Sequence, residues 1–505
     1  MSAAIVMQRR QLVLSALGGL AATVASPALA KPAMASEFAA AVKGQPLLAP
    51  FKGVTDATGD LDCESLMLRG RWPAALSGRF YRNGPALMER AGERYHHWFD
   101  GDGMVQRFTI ADGRVAHRGR LVRTEKLVAE QRAGRLVRSA LGTHIDNGPP
   151  ASGPDAFNTA NTSVIEHAGR LLALWEGGSA YALDRHDLST QGPVSWRADL
   201  QQVPFSAHPK VDASGHLWNI GSFGKALVVW HIDARGALVR VQVGESPYPH
   251  GMVHDVAVTA RHLVVPLPPV KFTLNEPSVG PRRFALEAGQ PLRVLVMDKN
   301  DIAKRRVFEL PPQLVFHVGN AHDTPDGNIV LSFVGAADAS FLDEGAVALM
   351  AGRLPQAVGA ALQTVHLDMA SGRVQLSPLA ANVEFPRLHP QRIGQAARYV
   401  VCAAGAPRGS GVLHAVQMVD THSGAVRRFD YGALAVVEEH LVVPKPGRTG
   451  ELDAWLLGTV YDARRRATVL NLLDAARIEE GPIAQAVLPY MLPLGFHGNF
   501  TAASS

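Results

Sequence analysis

From about residue 50 onward the chain is written in short apolar runs of four to eight residues, each closed by Gly, Pro, Asn or Asp. Leu171–Trp175, His216–Gly221, Ala226–His231, His262–Leu267 and Asn328–Phe333 are such runs. Asp212-Ala-Ser-Gly215, Pro325-Asp-Gly327 and Ala370-Ser-Gly372 are such closures. Apolar segments this short, bounded by turn residues, read as strands rather than helices. Helix-like patterning is confined to Ser36–Val42, the region around Lys126–Leu141, and Asp343–Val365. Evenly spaced strands over such a length predict an all-β propeller or large sandwich. No sequence repeat marks the blades, so the strand spacing alone carries the propeller. No low-complexity linker interrupts the chain, and residues 31–505 are expected to form a single domain.

Composition narrows the partners. Of 505 residues, 47% are hydrophobic and 19% charged, globular values that allow a large core. Gln8-Arg9-Arg10-Gln11-Leu12-Val13-Leu14 opens an apolar run to Val24, and Ala28-Leu29-Ala30 offers a small-x-small cleavage site. Residues 1–30 therefore read as a twin-arginine signal, with a plain secretory signal as the alternative. The run is too short to span a bilayer, and the mature chain is expected in the periplasm. Twin-arginine export carries proteins already folded. Loss of the signal removes two arginines and no acids, so the net charge of +5 falls to +3. The remaining basic residues are scattered, which excludes nucleic acid as a partner. Cys63 and Cys402 are too few for a disulfide framework or a cysteine metal site; one bridge and two buried thiols both stay open.

Four of the 20 histidines sit in unusual settings. His208 precedes Pro209, which favours extended backbone. His254 opens a strand-like run, and His317 follows the apolar Gln313-Leu-Val-Phe316. His497 lies in Gly495-Phe-His-Gly498 after the stiff Leu488–Pro493, close to a terminus that would ordinarily fray. Taken singly, each reads more simply as a satisfied buried histidine. The gaps of 46, 63 and 180 residues match no compact metal motif. They do match about one, one and three propeller blades, so imidazoles at blade starts would converge on the axis. Such a set suits Fe(II), Cu or Zn. Four neutral ligands also call for carboxylates behind them to take the other ring N–H, and Glu176, Glu384 and Glu439 stand in apolar surroundings. Asp100-Gly-Asp-Gly103 reads as a tight turn; as a calcium loop it lacks the later ligands.

From about residue 50 to its end, the chain resembles the carotenoid cleavage oxygenase family. The motifs are Gly78-Arg-Phe-Tyr-Arg-Asn-Gly-Pro85, Phe99-Asp-Gly-Asp-Gly-Met104, Asn158-Thr-Ala-Asn-Thr162, Leu172-Ala-Leu-Trp-Glu176, Ala207-His-Pro-Lys-Val-Asp212, His254-Asp255, Phe316-His-Val-Gly-Asn-Ala321, Glu384-Phe-Pro-Arg387 and Gly495-Phe-His-Gly498. The resemblance implies a seven-bladed β-propeller with a helical cap over an axial non-haem Fe(II). Its implied ligands are His208, His254, His317 and His497, backed by Glu176, Glu384 and Glu439. Two departures lie nearby. The family has proline where this chain has His440, which makes Glu438 a rival to Glu439, and its Asn-Ala-aromatic-Glu reads Asn320-Ala-His322-Asp323 here.

The implied reaction is a dioxygenation: O2 adds across one C=C bond of a carotenoid or apocarotenoid, through a dioxetane, to leave two carbonyl products. The alternative is a lignostilbene or phenylpropanoid-alkene dioxygenase, in which Tyr95 and Lys126 would hold a phenol oxygen. The stretch Ala336–Val365, carrying Phe341, Leu342, Val347, Leu349, Met350 and Leu354, favours the apolar polyene. It reads either as a lid in peripheral membrane contact or as a helical cap packed on the propeller. A non-catalytic periplasmic propeller that binds a ligand or metal is a third reading, against which the full set of histidines and glutamates speaks.

Overall fold

The computed structural model describes residues 33–248, 252–272, 284–357, 359–406 and 410–503. The expected signal, residues 1–30, lies outside them. Seven antiparallel sheets of four or five strands follow one another along the chain as the blades of a β-propeller. Five of them are each made within one stretch of chain, residues 163–193, 210–245, 257–310, 314–381 and 383–430, the third interrupted by a separate two-stranded hairpin, Val270–Phe272 with Phe284–Leu286. The central strands of a blade are covered on both faces by the neighbouring blades. Ala454–Asp462 and Ala467–Asp474 are accordingly buried almost throughout and read as continuous apolar runs rather than as alternating ones.

The two remaining blades join the ends of the chain. The last strand, His497–Ala502, pairs with Gly78–Leu87 in the first blade, from Gly78 opposite Ala502 to Asn83 opposite His497. Met67–Gly70 in turn pairs with Pro482–Val487 in the last blade. Each end thus fills a sheet edge that would otherwise leave backbone donors and acceptors unpaired. The C-terminal segment is part of the sheet and not a tail.

The helices lie over one end of the propeller. Ala33–Gly44 covers the expected Ser36–Val42. Its Phe38 ring lies 3.6 Å beneath the Arg94 guanidinium, and Arg94 Nε also donates to the carbonyl of Met350 at 3.1 Å. Glu125–Ala133 is capped by the Thr124 hydroxyl, which accepts from Leu127 N at 3.1 Å. It stops at Gly134, which takes the left-handed φ of 64°. The helix expected to reach Leu141 therefore ends earlier, and residues 135–150 form a loop. The third reading needs more correction: among the described residues of Asp343–Val365 only Ala346–Met350 is α-helical, after a wider turn at Phe341–Gly345. Ala361–Leu367 is a blade strand paired with Ile329–Ala336 and Val374–Ala381, because a strand there finds backbone partners on both sides. Both cysteines are free thiols, so the bridge left open by the sequence is absent.

Candidate metal centre and substrate cavity

Four edge strands, or the residues just before them, position the four histidines. His208 and His254 lie just before Lys210–Val211 and Ala257–Val258, His317 lies within Leu314–Asp323, and His497 begins the final strand. All four are buried, and their ligand atoms lie within 4.8 Å of one another. The Nε2 atoms stand 3.0 Å apart for His208 and His254, 3.3 Å for His254 and His317, and 3.1 Å for His317 and His497. Behind three of the rings sits a carboxylate. His254 Nδ1 donates to Glu176, His317 Nδ1 to Glu384 at 2.5 Å, and His497 Nδ1 to Glu439 at 2.9 Å.

That arrangement places the ring protons outward at Nδ1 and turns the Nε2 lone pairs toward one another. Lone pairs crowded so closely repel unless a cation lies between them, and an all-imidazole donor set fits a divalent first-row metal. Electrostatics agree for two of the rings. Burial and the neighbouring imidazoles hold His208 well below the usual range, and burial brings His497 down to about 4 despite Glu439. Burial opposes the charged form of His317 as well, but Glu384 outweighs it and raises its pKa.

The structure separates Glu439 from Glu438. Glu439 accepts from His497, from Gly498 N at 2.7 Å, and from Arg387 Nε and Nη2 at 2.6 and 2.8 Å. Glu438 turns the other way, to the buried Arg82 and to Thr459 Oγ1 at 2.7 Å. His440 donates from Nδ1 to the Glu438 carbonyl at 2.9 Å and does not join the cluster. Arg387 and Asp255 are supporting residues that the sequence reading did not single out for a role. Asp255 accepts from Lys210 at 2.6 Å, Val256 N at 2.7 Å and Val318 N at 2.8 Å, which ties the strands bearing His254 and His317 together. The available signal was position: Asp255 follows His254 directly, and Arg387 closes the Glu384-Phe-Pro run.

A cavity of ≈ 1090 Å³ opens onto His254, His317 and His497, walled by Trp98, Phe99, Phe316, Phe341, Phe385 and Phe496 among others. Phe316 stacks on His254 with centroids 3.8 Å apart and planes 12° from parallel. Phe385 sits at a left-handed φ of 57°, and its ring lies 5.3 Å from His317 and 5.5 Å from His497. A non-glycine residue held at such a φ is strained; here the strained backbone holds an aromatic ring against two of the four histidines.

Tyr95 and Lys126 do not reach the cavity wall. Both are fully buried, and Lys126 Nζ is spent on Tyr95 Oη, on Asp102 at 2.9 Å and on Glu130 at 3.2 Å. Tyr95 donates to Glu130 at 2.7 Å, so neither residue is free to hold a phenol. The Asp100-Gly-Asp-Gly103 carboxylates are likewise occupied: Asp100 accepts from Thr143 Oγ1 at 2.7 Å and Gly142 N at 3.1 Å, and Asp102 pairs with Lys126. The apolar stretch after Ala336 turns inward. Leu342, Leu349 and Met350 are buried, and Phe341, Leu342 and Leu349 face the cavity, so this segment packs as a cap over it. Among the described residues, no helix is long and apolar enough to cross a membrane.

Residues 54–502 match the family model described as retinal pigment epithelial membrane protein. The chain is 30% identical over 473 residues to apocarotenoid-15,15'-oxygenase of Synechocystis, covering 86% of this chain and 92% of that protein. It is 27% identical over 499 residues to lignostilbene-alpha,beta-dioxygenase isozyme III of Sphingomonas paucimobilis, covering 90% and 99%. The crystal structure of cobalt-substituted Synechocystis apocarotenoid oxygenase superposes with a TM-score of 0.81 at 27% identity, covering 91% of this chain and 99% of that one.

Proposed function

The chain belongs to the retinal pigment epithelial membrane protein family, the carotenoid cleavage oxygenases, and on that premise we propose an Fe(II) dioxygenase that splits one C=C bond of an apocarotenoid with O2 into two carbonyl products. The observation that carries this reading is the junction of the four-imidazole cluster with a large aromatic cavity. Fe(II) bound there would supply the electrons that allow O2 to react with an alkene. His208, His254, His317 and His497 would hold it, while Glu176, Glu384 and Glu439 keep a proton on Nδ1 and so leave Nε2 free to ligate. The aromatic walls orient an extended chain and keep bulk water away from its double bonds. No protein nucleophile is required.

Two observations favour a polyene over a small phenolic alkene. Cavities for small molecules usually span about 300–1,000 Å³, and this one, at ≈ 1090 Å³, exceeds that range. The lysine and tyrosine that would hold a phenol are consumed in a buried network. The test is oxygen uptake with product analysis on iron-loaded protein, using an apocarotenal and a 4-hydroxystilbene in parallel. Aldehydes from the apocarotenal support the reading, cleavage of the stilbene alone moves it to the lignostilbene class, and no uptake at full iron occupancy removes it. We also propose that Arg9-Arg10 and the apolar run to Val24 direct the folded chain to the periplasm. Cell fractionation with and without an Arg9→Lys, Arg10→Lys pair tests that route.

A further inference from the structure

Arg138 is the anomaly in the cavity wall. It is 7% exposed and lines the cavity, yet among the described residues no carboxylate pairs with its guanidinium. Nη1 donates to the carbonyls of Pro149 and Pro150, at 3.2 Å for the latter, and Nε has no partner. The carboxylates that share the cavity wall are engaged elsewhere. Asp100 is taken by Thr143 and Gly142, Glu176 and Glu384 by the histidines, and Glu438 by Arg82. Asp338 is exposed and accepts from Ser340 N. An always-charged group buried without a counter-charge is costly, and guanidinium is a planar donor suited to carboxylate and carbonyl oxygens.

Its place in the fold gives the cation a use. Glu130 Oε1 accepts from both Val137 N and Arg138 N at 3.2 Å, so the backbone under the side chain is anchored to the buried Lys126 network. Pro149 and Pro150 are exposed residues of the same wall, which puts the guanidinium bonded to them where the cavity wall meets solvent. His254, His317 and His497 line the same cavity and are buried. A long apolar chain reaching from these histidines to that edge of the wall would present its last atoms to Arg138.

We infer that Arg138 recognises an oxygen-bearing end of the substrate, so that the cavity takes linear polyenes ending in a carboxylate or carbonyl and binds the acid most tightly. This rests on the oxygenase reading for the identity of the chain but concerns binding, which can be measured without turnover. Trp98 and Trp175 line the same cavity, so quenching of tryptophan fluorescence reports occupancy. The experiment titrates the full-length, iron-loaded protein anaerobically with a polyene carboxylic acid, the matching aldehyde and the hydrocarbon of equal length. Wild type is expected to prefer the acid. Arg138→Met should weaken the acid by roughly 10- to 100-fold, the worth of a charge-assisted hydrogen bond, and the hydrocarbon by less than about twofold. Arg138→Lys, which keeps the charge, should recover most of the acid affinity. Equal wild-type affinity for acid and hydrocarbon, or equal losses for both in Arg138→Met, would overturn the inference and leave Arg138 as a staple for the loop. Cleavage under O2 is scored separately, so a failure of the oxygenase reading leaves the binding result standing.

Discussion

Glu439 and His497 stand 58 residues apart in the chain, and the Glu439 Oε1 atom accepts from His497 Nδ1 at 2.9 Å. The same carboxylate is gripped by Arg387 and by Gly498 N, so one buried anion sets both the ring and the strand that carries it. Glu439→Gln keeps an acceptor but removes the charge and leaves Arg387 without its bidentate partner. Metal affinity and oxygen uptake should both fall by about 10- to 100-fold, read by metal analysis after dialysis and by an oxygen electrode. His497→Ala should abolish both, and an active, iron-replete His497→Ala protein would remove it from the ligand set.

Gly84 belongs to the Arg82-Asn-Gly-Pro85 run and faces the segment before His497. A Cβ there would stand 2.6 Å from Gly495 Cα and 2.7 Å from the Leu494 carbonyl, both backbone atoms that cannot swing away. Gly84→Ala should cost about 1–3 kcal/mol of stability through overpacking. It should also lower iron content by displacing the approach to His497. Wild-type values for both thermal midpoint and iron content would show that the contact is slack.

Lys126 neutralises Asp102 and Glu130 in a site with no access to water. Burial works against its ammonium, but the two carboxylates outweigh it and raise its pKa. Lys126→Met leaves two buried acids facing each other, a loss of about 3–5 kcal/mol by analogy with broken buried pairs. Urea-induced unfolding measures it; a change below about 1 kcal/mol, the level of an exposed pair, would mean that the network is solvated.

Acid should destabilise the fold through buried neutral histidines. Burial brings His117 from 6.5 to about 3 and His440 from 6.5 to about 4. The unfolded chain therefore takes up these protons first. Stability is full above pH 6.5, falls as pH drops through the window between 6.5 and the folded values, and levels off below them. Thermal midpoints from pH 7 to 4 should decline, and His117→Gln should flatten the slope while lowering the midpoint at pH 7. An identical slope in that variant would assign the acid sensitivity to other groups.

Much of the site was legible because its histidines stand in unusual local settings whose spacing, taken as a set, fits the blades of a propeller. His208 before proline, His254 opening a strand and His497 between glycines each carried a signal in their immediate neighbours. The choice between Glu438 and Glu439 carried none. Adjacent strand residues face opposite ways, and the pairing of Ala435–Pro444 slips between Val437 and His440. A one-residue difference there exchanges the axis for the blade interior. Tyr95 and Lys126, the candidates for a phenol clamp under the alternative reading, lie in a buried network for a related reason: their partners, Asp102 and Glu130, are known only once the strand and helix meet.

By itself, then, the sequence determined the all-β class, the turns and the four histidines, because strand length, glycine placement and a residue's immediate neighbours are local properties. Tertiary structure decided which carboxylate backs His497, that residues 361–367 are a strand, that the cap packs inward, and that Arg138 lines the cavity without a carboxylate partner among the described residues. Each of those depends on atoms brought together from distant parts of the chain. Hydrogen bonds and buried charges are satisfied or left open only when the blades close around them.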